Sequence, residues 1–152
     1  MKHFINIIII FVFFGDLASA QKLKEDSVPS IVKQSFKEKF PSAKKTEWKL
    51  KTDKNYEAEF MQQGVEISVK FNPEGKWMET ESGIKSTEAP PAVKNTIAKD
   101  FPGYKVIEWQ KIESPATTEL IYEIHVKGNK EVVKLQYSAN GKELNRSSKR
   151  IK

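Results

Sequence analysis

The sequence predicts an α+β fold in which two tandem α-β-β-β-β repeats form an antiparallel sheet of up to eight strands, with the helices packed on one face. Three observations carry this. The first is an internal duplication. Phe40-Pro41 and Glu47-Trp48 return as Phe101-Pro102 and Glu108-Trp109 at an offset of 61, and Tyr56-Glu57 and Gly75-Lys76 return as Tyr122-Glu123 and Gly141-Lys142 at an offset of 66. Over residues 28–51 and 56–78 and their counterparts, 12 of 47 positions are identical, where chance gives about three. The second is a switch in each copy from helical spacing of apolar residues to strict alternation. The third is a Gly-Lys turn near the end of each copy.

The chain opens with a short basic start, an apolar run over Phe4–Phe14 and the small residues Ala18-Ser19-Ala20. This pattern predicts a secretory signal peptide over 1–20, cut before Gln21. The apolar run is about half the length a membrane span needs, so no membrane span is expected. Absence of cysteine rules out a disulfide framework and predicts no lipid anchor at the new N-terminus. The first repeat then covers 21–81, a linker 82–88, and the second repeat 89–152.

Gln21–Ser27 is polar and reads as mobile. From Val28, apolar residues at 28, 31, 32, 36 and 40 line one helical face, with Ser27 as an N-cap candidate. Pro41 stops the helix, since a residue before proline is pushed out of the α region. The second copy repeats the plan with Ala89, Val93, Ile97 and Phe101, opened by Pro90-Pro91.

Alternation follows. Trp48 and Leu50 oppose Glu47 and Lys49. Tyr56, Ala58 and Phe60 oppose Glu57 and Glu59, and Ile67, Val69 and Phe71 oppose Glu66, Ser68 and Lys70. Asn72-Pro73-Glu74-Gly75 is a turn, and Trp77 onward returns as a fourth strand. In the second copy Ile107 and Trp109 oppose Glu108 and Gln110. Tyr122, Ile124 and Val126 oppose Glu123, His125 and Lys127, and Val133, Leu135 and Tyr137 oppose Lys134 and Gln136. The change of offset places five extra residues in 113–119, whose composition reads as a loop. By parity the aromatics Trp48, Tyr56, Phe60, Phe71, Trp109, Tyr122 and Tyr137 lie beneath the helices, and the charged residues form a solvated ladder on the other face.

The net charge of +6 is concentrated late: residues 21–88 carry 13 Lys/Arg against 12 Asp/Glu, and residues 89–152 carry 12 against 7. Arg146, Lys149, Arg150 and Lys152 read as a frayed, solvated tail, with a polybasic arm for acidic polymer as the competing reading. No nucleic-acid partner is expected.

The layout of Pro29, Phe40-Pro41, Trp48, Tyr56-Glu57, Phe71, Gly75-Lys76-Trp77 and its second copy resembles the PepSY-like family of small exported bacterial proteins, which is similar to the beta-lactamase inhibitor protein. The resemblance covers nearly the whole of residues 21–152 and carries no catalytic residue. It implies a periplasmic or secreted location and recognition of a protein or peptide partner, inhibitory in the related inhibitor, through the open face of the sheet. There the inhibitor uses aromatics, whereas this face is charged.

Enzymatic chemistry finds little support in the residue inventory. His125 is the one histidine of residues 21–152, so a Cys/His metal site cannot be assembled, and no serine motif accompanies it. It reads as a solvent-facing strand residue. No Gly-rich phosphate loop appears, and no cofactor is expected. The sequence therefore predicts a non-enzymatic exported module whose binding face carries Glu47, Lys49, Glu57, Glu59, Lys70, Glu123, His125 and Lys127. Trp77, with Glu143 as its counterpart in the second copy, is the candidate aromatic anchor. The alternative is a periplasmic small-ligand or calcium binder, or a hydrolase, using the glutamates of that face.

Overall fold

The computed structural model describes residues 20–151; the expected signal peptide, all but Ala20, lies outside them. Two helices, α1 (Ser30–Lys39) and α2 (Pro91–Asp100), accompany nine strands. The strands are β1 (Gln21–Leu23), β2 (Glu47–Leu50), β3 (Tyr56–Gln62), β4 (Val65–Phe71), β5 (Trp77–Gly83), β6 (Lys105–Ser114), β7 (Thr117–Lys127), β8 (Glu131–Ser138) and β9 (Glu143–Arg150). They pair antiparallel in sequence order within a single sheet. Among the described residues no helix is long and apolar enough to cross a membrane.

Each helix ends where its Phe-Pro pair dictates, with Phe40 and Phe101 as C-caps. Neither start uses a side-chain cap: Pro29 and Pro90 hold the N-cap positions, and Ser27, the expected cap, closes a short 3-10 turn instead. Val32 and Phe36 of α1 pack on Trp48, Ala58, Phe60, Val69 and Phe71. Val93, Ile97 and Phe101 pack on Ile124, Val126, Val133, Leu135 and Tyr137. Tyr56, Trp109 and Tyr122 fill the margins of these clusters, so the aromatics lie beneath the helices as parity predicts. Phe36 sits at the centre of the first cluster, edge-on to Trp48 and Phe60 at centroid distances of 5.1 and 5.4 Å. Ile31, assigned to the apolar face of α1, is 47% exposed.

Register carries one face across the whole sheet. Ile67 stands opposite Ser82, Ser82 opposite Lys111, Lys111 opposite Tyr122 and Tyr122 opposite Tyr137. Both helices therefore cover the same side, and the sheet runs unbroken through the junction of the repeats.

Four expectations change. Gln21–Leu23 is the ninth strand rather than a mobile lead, pairing with Trp48–Leu50. The tail is ordered: β9 pairs along β8 from Glu131↔Arg150 to Tyr137↔Glu143. Its polar, basic sequence suits a sheet edge that must not template further pairing. Ser82 and Gly83 belong to β5 rather than to the linker. The five extra residues of the second copy do not make a loop. They lengthen β6 and β7 into a hairpin turned at Pro115-Ala116, and Gln110, Lys111, Ile112 and Glu113 of β6 pair with β5. The pairing of β5 with β6 is the seam that joins the repeats.

The Gly-Lys turns have a shared physical cause. A Cβ at Gly75 would lie 2.9 Å from Ser35 Oγ and 3.0 Å from the Ile31 carbonyl oxygen, and one at Gly141 would lie 3.0 Å from the Ala92 carbonyl oxygen and 3.1 Å from Thr96 Oγ1. Ser35 and Thr96, like Ile31 and Ala92, are counterparts at the offset of 61. Both turns press backbone onto a helix at positive φ (+78° and +84°), which glycine alone accepts without strain. Gly75→Ala is expected to lower stability by about 2 kcal/mol. Gly64→Ala, at φ +80° with nothing within 4 Å, should lose only the backbone part, about 1 kcal/mol. Paired thermal melts check the difference, and equal losses would show that the helix contact is immaterial.

Candidate functional site

The face away from the helices is built by alternation, and neighbouring strands bring its residues into rows. Lys49 stands opposite Glu57, Glu57 opposite Lys70 and Lys70 opposite Glu79. The next row runs Glu47, Glu59, Ser68, Glu81, Ile112, Ile121 and Ser138. In the second repeat Gln110, Glu123, Gln136 and Asn145 share a row, as do Glu108, His125, Lys134 and Ser147. In the first row opposite signs therefore meet across strands, the arrangement that stabilises a sheet surface, whereas Glu47 and Glu59 face each other in the second.

Lys49 Nζ lies 2.5 Å from Glu59 Oε1, Lys51 Nζ 3.3 Å from Glu57 Oε2, and Lys70 Nζ 2.5 Å from Glu79 Oε1. His125 bridges two carboxylates: Nδ1 is 2.6 Å from Glu108 Oε2 and Nε2 is 3.0 Å from Glu123 Oε1. Glu123 also accepts from Lys134 Nζ at 2.9 Å and from Gln136 Nε2 at 2.8 Å.

The face is not the solvated ladder that alternation suggests. Glu123 is fully buried, His125 is 4% exposed and Glu57 is 8% exposed, although no described helix or strand is layered over this side. The cover comes from the neighbours themselves, long side chains lying over one another across a sheet many strands wide. His125 is thus not solvent-facing.

Burial resets the titration of this network. Desolvation works against the charged form of His125, but the bonds to Glu108 and Glu123 outweigh it and raise its pKa to about 9, so the ring is an imidazolium at neutral pH. Burial alone would push Glu123 up, yet His125, Lys134 and Gln136 hold it below the ordinary carboxylate value. Burial pushes Glu59 up to about 7, with Lys49 pulling down and Glu57 adding to the rise. Glu81 goes up to about 7 through burial, opposite the apolar Ile112, and through the nearby charge of Glu123. Glu66 is raised by burial and by Glu108.

Of the nine candidate residues, Lys49, Glu57, Glu59, Lys70, Glu123 and His125 come together in this network. Glu47 is exposed and pairs with Lys22 at 3.0 Å. Lys127 stands at the end of the sheet opposite Lys105, outside the network. Trp77 is on the other side: it packs against the first core, donates its Nε1 hydrogen to Thr80 Oγ1 at 2.9 Å, and lies under Lys39 Nζ at 3.8 Å. It is a core-margin residue rather than an anchor on the charged face.

Sequence reading left out Glu79, Glu81, Lys134 and Gln136 as site residues. Lys134 and Gln136 were visible from parity. Glu79 and Glu81 were not, because an irregularity at Lys70/Phe71 pairs Phe71 with Trp77 and Lys70 with Glu79, so Met78 falls out of register and the phase of β5 flips. A second bulge, between Val106 and Glu108, takes Ile107 out of the pattern and seats Val106 in the second core instead.

Glu57, Glu59, Glu79, Glu108 and Glu123 lie on cations rather than around a common point. Among the described residues no three His, Asp or Glu side chains are placed to hold a metal ion. A cleft of about 500 Å³, open to solvent, lies at the sheet's end, lined by Pro102, Gly103, Tyr104, Gly128 and Glu131, away from the carboxylates of the charged face.

Comparison with known proteins supports the architecture. A protein of the DUF2874 family from Bacteroides ovatus is 25% identical, with a TM-score of 0.69 over 82% of this chain and 89% of that one. A BLIP-like protein from Bacteroides fragilis is 23% identical, with a TM-score of 0.65 over 79% and 85%. A protein from Bacteroides eggerthii, provisionally described as periplasmic, is 22% identical, with a TM-score of 0.72 over 80% and 88%. No curated protein matches the chain. The sequence profile of the beta-lactamase-inhibitor-like, PepSY-like proteins matches over two overlapping regions, residues 18–68 and 54–144, consistent with a tandem repeat. The chain belongs to that PepSY-like, beta-lactamase-inhibitor-like family.

Proposed function

We propose that this protein is an exported, non-enzymatic module, periplasmic or secreted, that binds a protein or peptide through the charged face of its sheet. The observation that carries the reading is a face many strands wide, covered by no other described element, whose charges are already fixed in rows by ion pairs. A preorganised array loses little further side-chain freedom on association, so its charge pattern can select a partner. Small-molecule capture wants a concave apolar pocket instead. Family membership supports the same reading, since an inhibitor of beta-lactamase is a protein that binds a protein. The related structure from Bacteroides eggerthii supports export.

A photo-cross-linking residue in place of Ser68, at the middle of the charged face, tests this. In native cell-envelope extract it should give one discrete protein adduct, suppressed by excess unmodified protein. The same group in place of Lys37, exposed on α1, should give none. No adduct from Ser68, or equal labelling from both positions, would overturn the reading.

A further inference from the structure

The charged face is electrically lopsided, and its basic end was scattered in the sequence. Lys105 stands directly opposite Lys127, Lys127 opposite Val132, and Val132 opposite Lys149. Lys130 sits in the adjoining turn, and the ordering of β9 is what brings Lys149 to this row. Lys105, Lys127 and Lys130 are exposed, and among the described residues none of them has a carboxylate within ion-pair distance. Like charges directly opposed on an antiparallel pair destabilise a sheet. Val132 is on this same face yet only 2% exposed, and its cross-strand neighbours are Lys127 and Lys149. Aliphatic lysine stems suit such cover.

The duplication supplies a control on what the fold itself requires. At the offset of 66, the counterparts of Lys127, Val132 and Lys149 are Met61, Glu66 and Gly83. Lys105 has a basic counterpart, Lys44, at the offset of 61, but the first repeat builds the same architecture without a lysine at the positions of Lys127 and Lys149. Those counterparts lie at the seam, where Glu66 and Glu81 have no ion-pair or hydrogen-bond partner among the described residues. A basic end and an acidic middle therefore share one face, about 15–20 Å apart at the usual strand spacing.

Resting on the reading that this face binds a protein, we propose that Lys105, Lys127 and Lys149, with Lys130 beside them, seat an acidic segment of that partner. A uniform polyanion lying along the face would run from the lysines onto the carboxylates of Glu66 and Glu81 and be repelled. A protein surface carrying an acidic stretch beside a neutral or basic one matches both ends.

The test uses residues 21–152 and a fluorescent peptide of four acidic residues and then four neutral ones, followed by anisotropy at rising salt. Binding should weaken with salt, and Lys105→Glu with Lys127→Glu should weaken it about tenfold or more. Lys37→Glu with Lys99→Glu, an equal charge change on the helix side, should leave it within about twofold. Reversing Lys105 alone relieves the Lys105–Lys127 repulsion, so that variant should bind more weakly while melting no lower than the parent. No binding, or equal losses in the two double variants, overturns the proposal. So does tighter, Lys105- and Lys127-dependent binding to phosphatidylglycerol vesicles or to a sulfated polysaccharide. A Ser68 adduct that persists in the Lys105→Glu, Lys127→Glu variant would refute this inference alone, whereas no adduct from the parent would refute the binding reading beneath it.

Discussion

Glu123→Ala is expected to destabilise the protein by about 3–5 kcal/mol, the largest effect of any single truncation on the charged face. Glu123 is fully buried and satisfies His125, Lys134 and Gln136 at once. Truncation leaves an imidazolium and an ammonium around a cavity with one fewer carboxylate to hold them, and a buried charge that loses its partner keeps its desolvation penalty. At roughly 2–4 °C per kcal/mol for a chain of this size, the melting temperature should fall by about 6–20 °C. Glu123→Gln, which keeps hydrogen-bonding atoms and removes the charge, should fall between. Glu113→Gln, whose pair with Lys111 is about half exposed, should change stability by less than about 1 kcal/mol. His125→Ala should be costly alone but markedly sub-additive with Glu123→Ala, because the first substitution already breaks the bridge the second removes. Additive losses, or a Glu123→Ala protein as stable as the parent, would show that the charges are solvated and paired only incidentally.

Much of the fold was legible in the sequence, because each copy states it. Alternation in Tyr56–Phe60 and Val133–Tyr137 assigns faces unambiguously, and the Phe-Pro stops place the helix ends. What was hidden depends on pairing between segments far apart in the chain. Gln21–Leu23 has the composition of a loose lead and becomes a strand only because Trp48–Leu50 offers an edge. Arg146–Arg150 reads as a solvated tail until β8 supplies its ladder and Phe101 lies under the Arg146 guanidinium at 5.1 Å. Pro115 and Ala116 look like the middle of a loop, yet they are the two-residue tip of the β6–β7 hairpin.

The candidate site was half legible for a related reason. Parity says which residues share a face, and it gathered Lys49, Glu57, Glu59, Lys70, Glu123 and His125 correctly. It says nothing about burial when no second layer is present. Bulges, invisible to alternation, hid Glu79 and Glu81 and displaced Ile107. Trp77 lies on the helix side at the margin of the first core, and the second copy closes the same margin differently: Glu143, its counterpart, pairs with Arg146 at 2.6 Å.

The burial that sequence could not show also sets how stability depends on pH. Glu59 and Glu81 titrate at about 7 in the folded protein against 4.5 in an open chain. Between those values the native state holds more protons than the unfolded one, so stability falls as pH rises, and the contribution present below 4.5 is gone above 7. His125 acts in the same direction over a higher window. Its pKa is about 9 folded against 6.5 unfolded, so its contribution is complete below 6.5 and is lost as pH climbs through 9. Glu123 is shifted down and gives the opposite slope, stabilising above its unfolded value and failing as acid protonates it. The sum is a maximum of stability in mild acid, around pH 5, with a decline through pH 7 to 9 on the order of 3 kcal/mol, or roughly 6–12 °C in melting temperature. Glu81→Gln and Glu59→Gln imitate the protonated acids and should flatten the limb between pH 5 and 7. His125→Gln should flatten the limb between pH 7 and 9 while lowering stability throughout. Melts across pH 4–10 decide the matter. A maximum at or above pH 8, or a limb between 5 and 7 that survives both glutamine substitutions, would mean that the carboxylates of this face are as hydrated as their alternating pattern first implied.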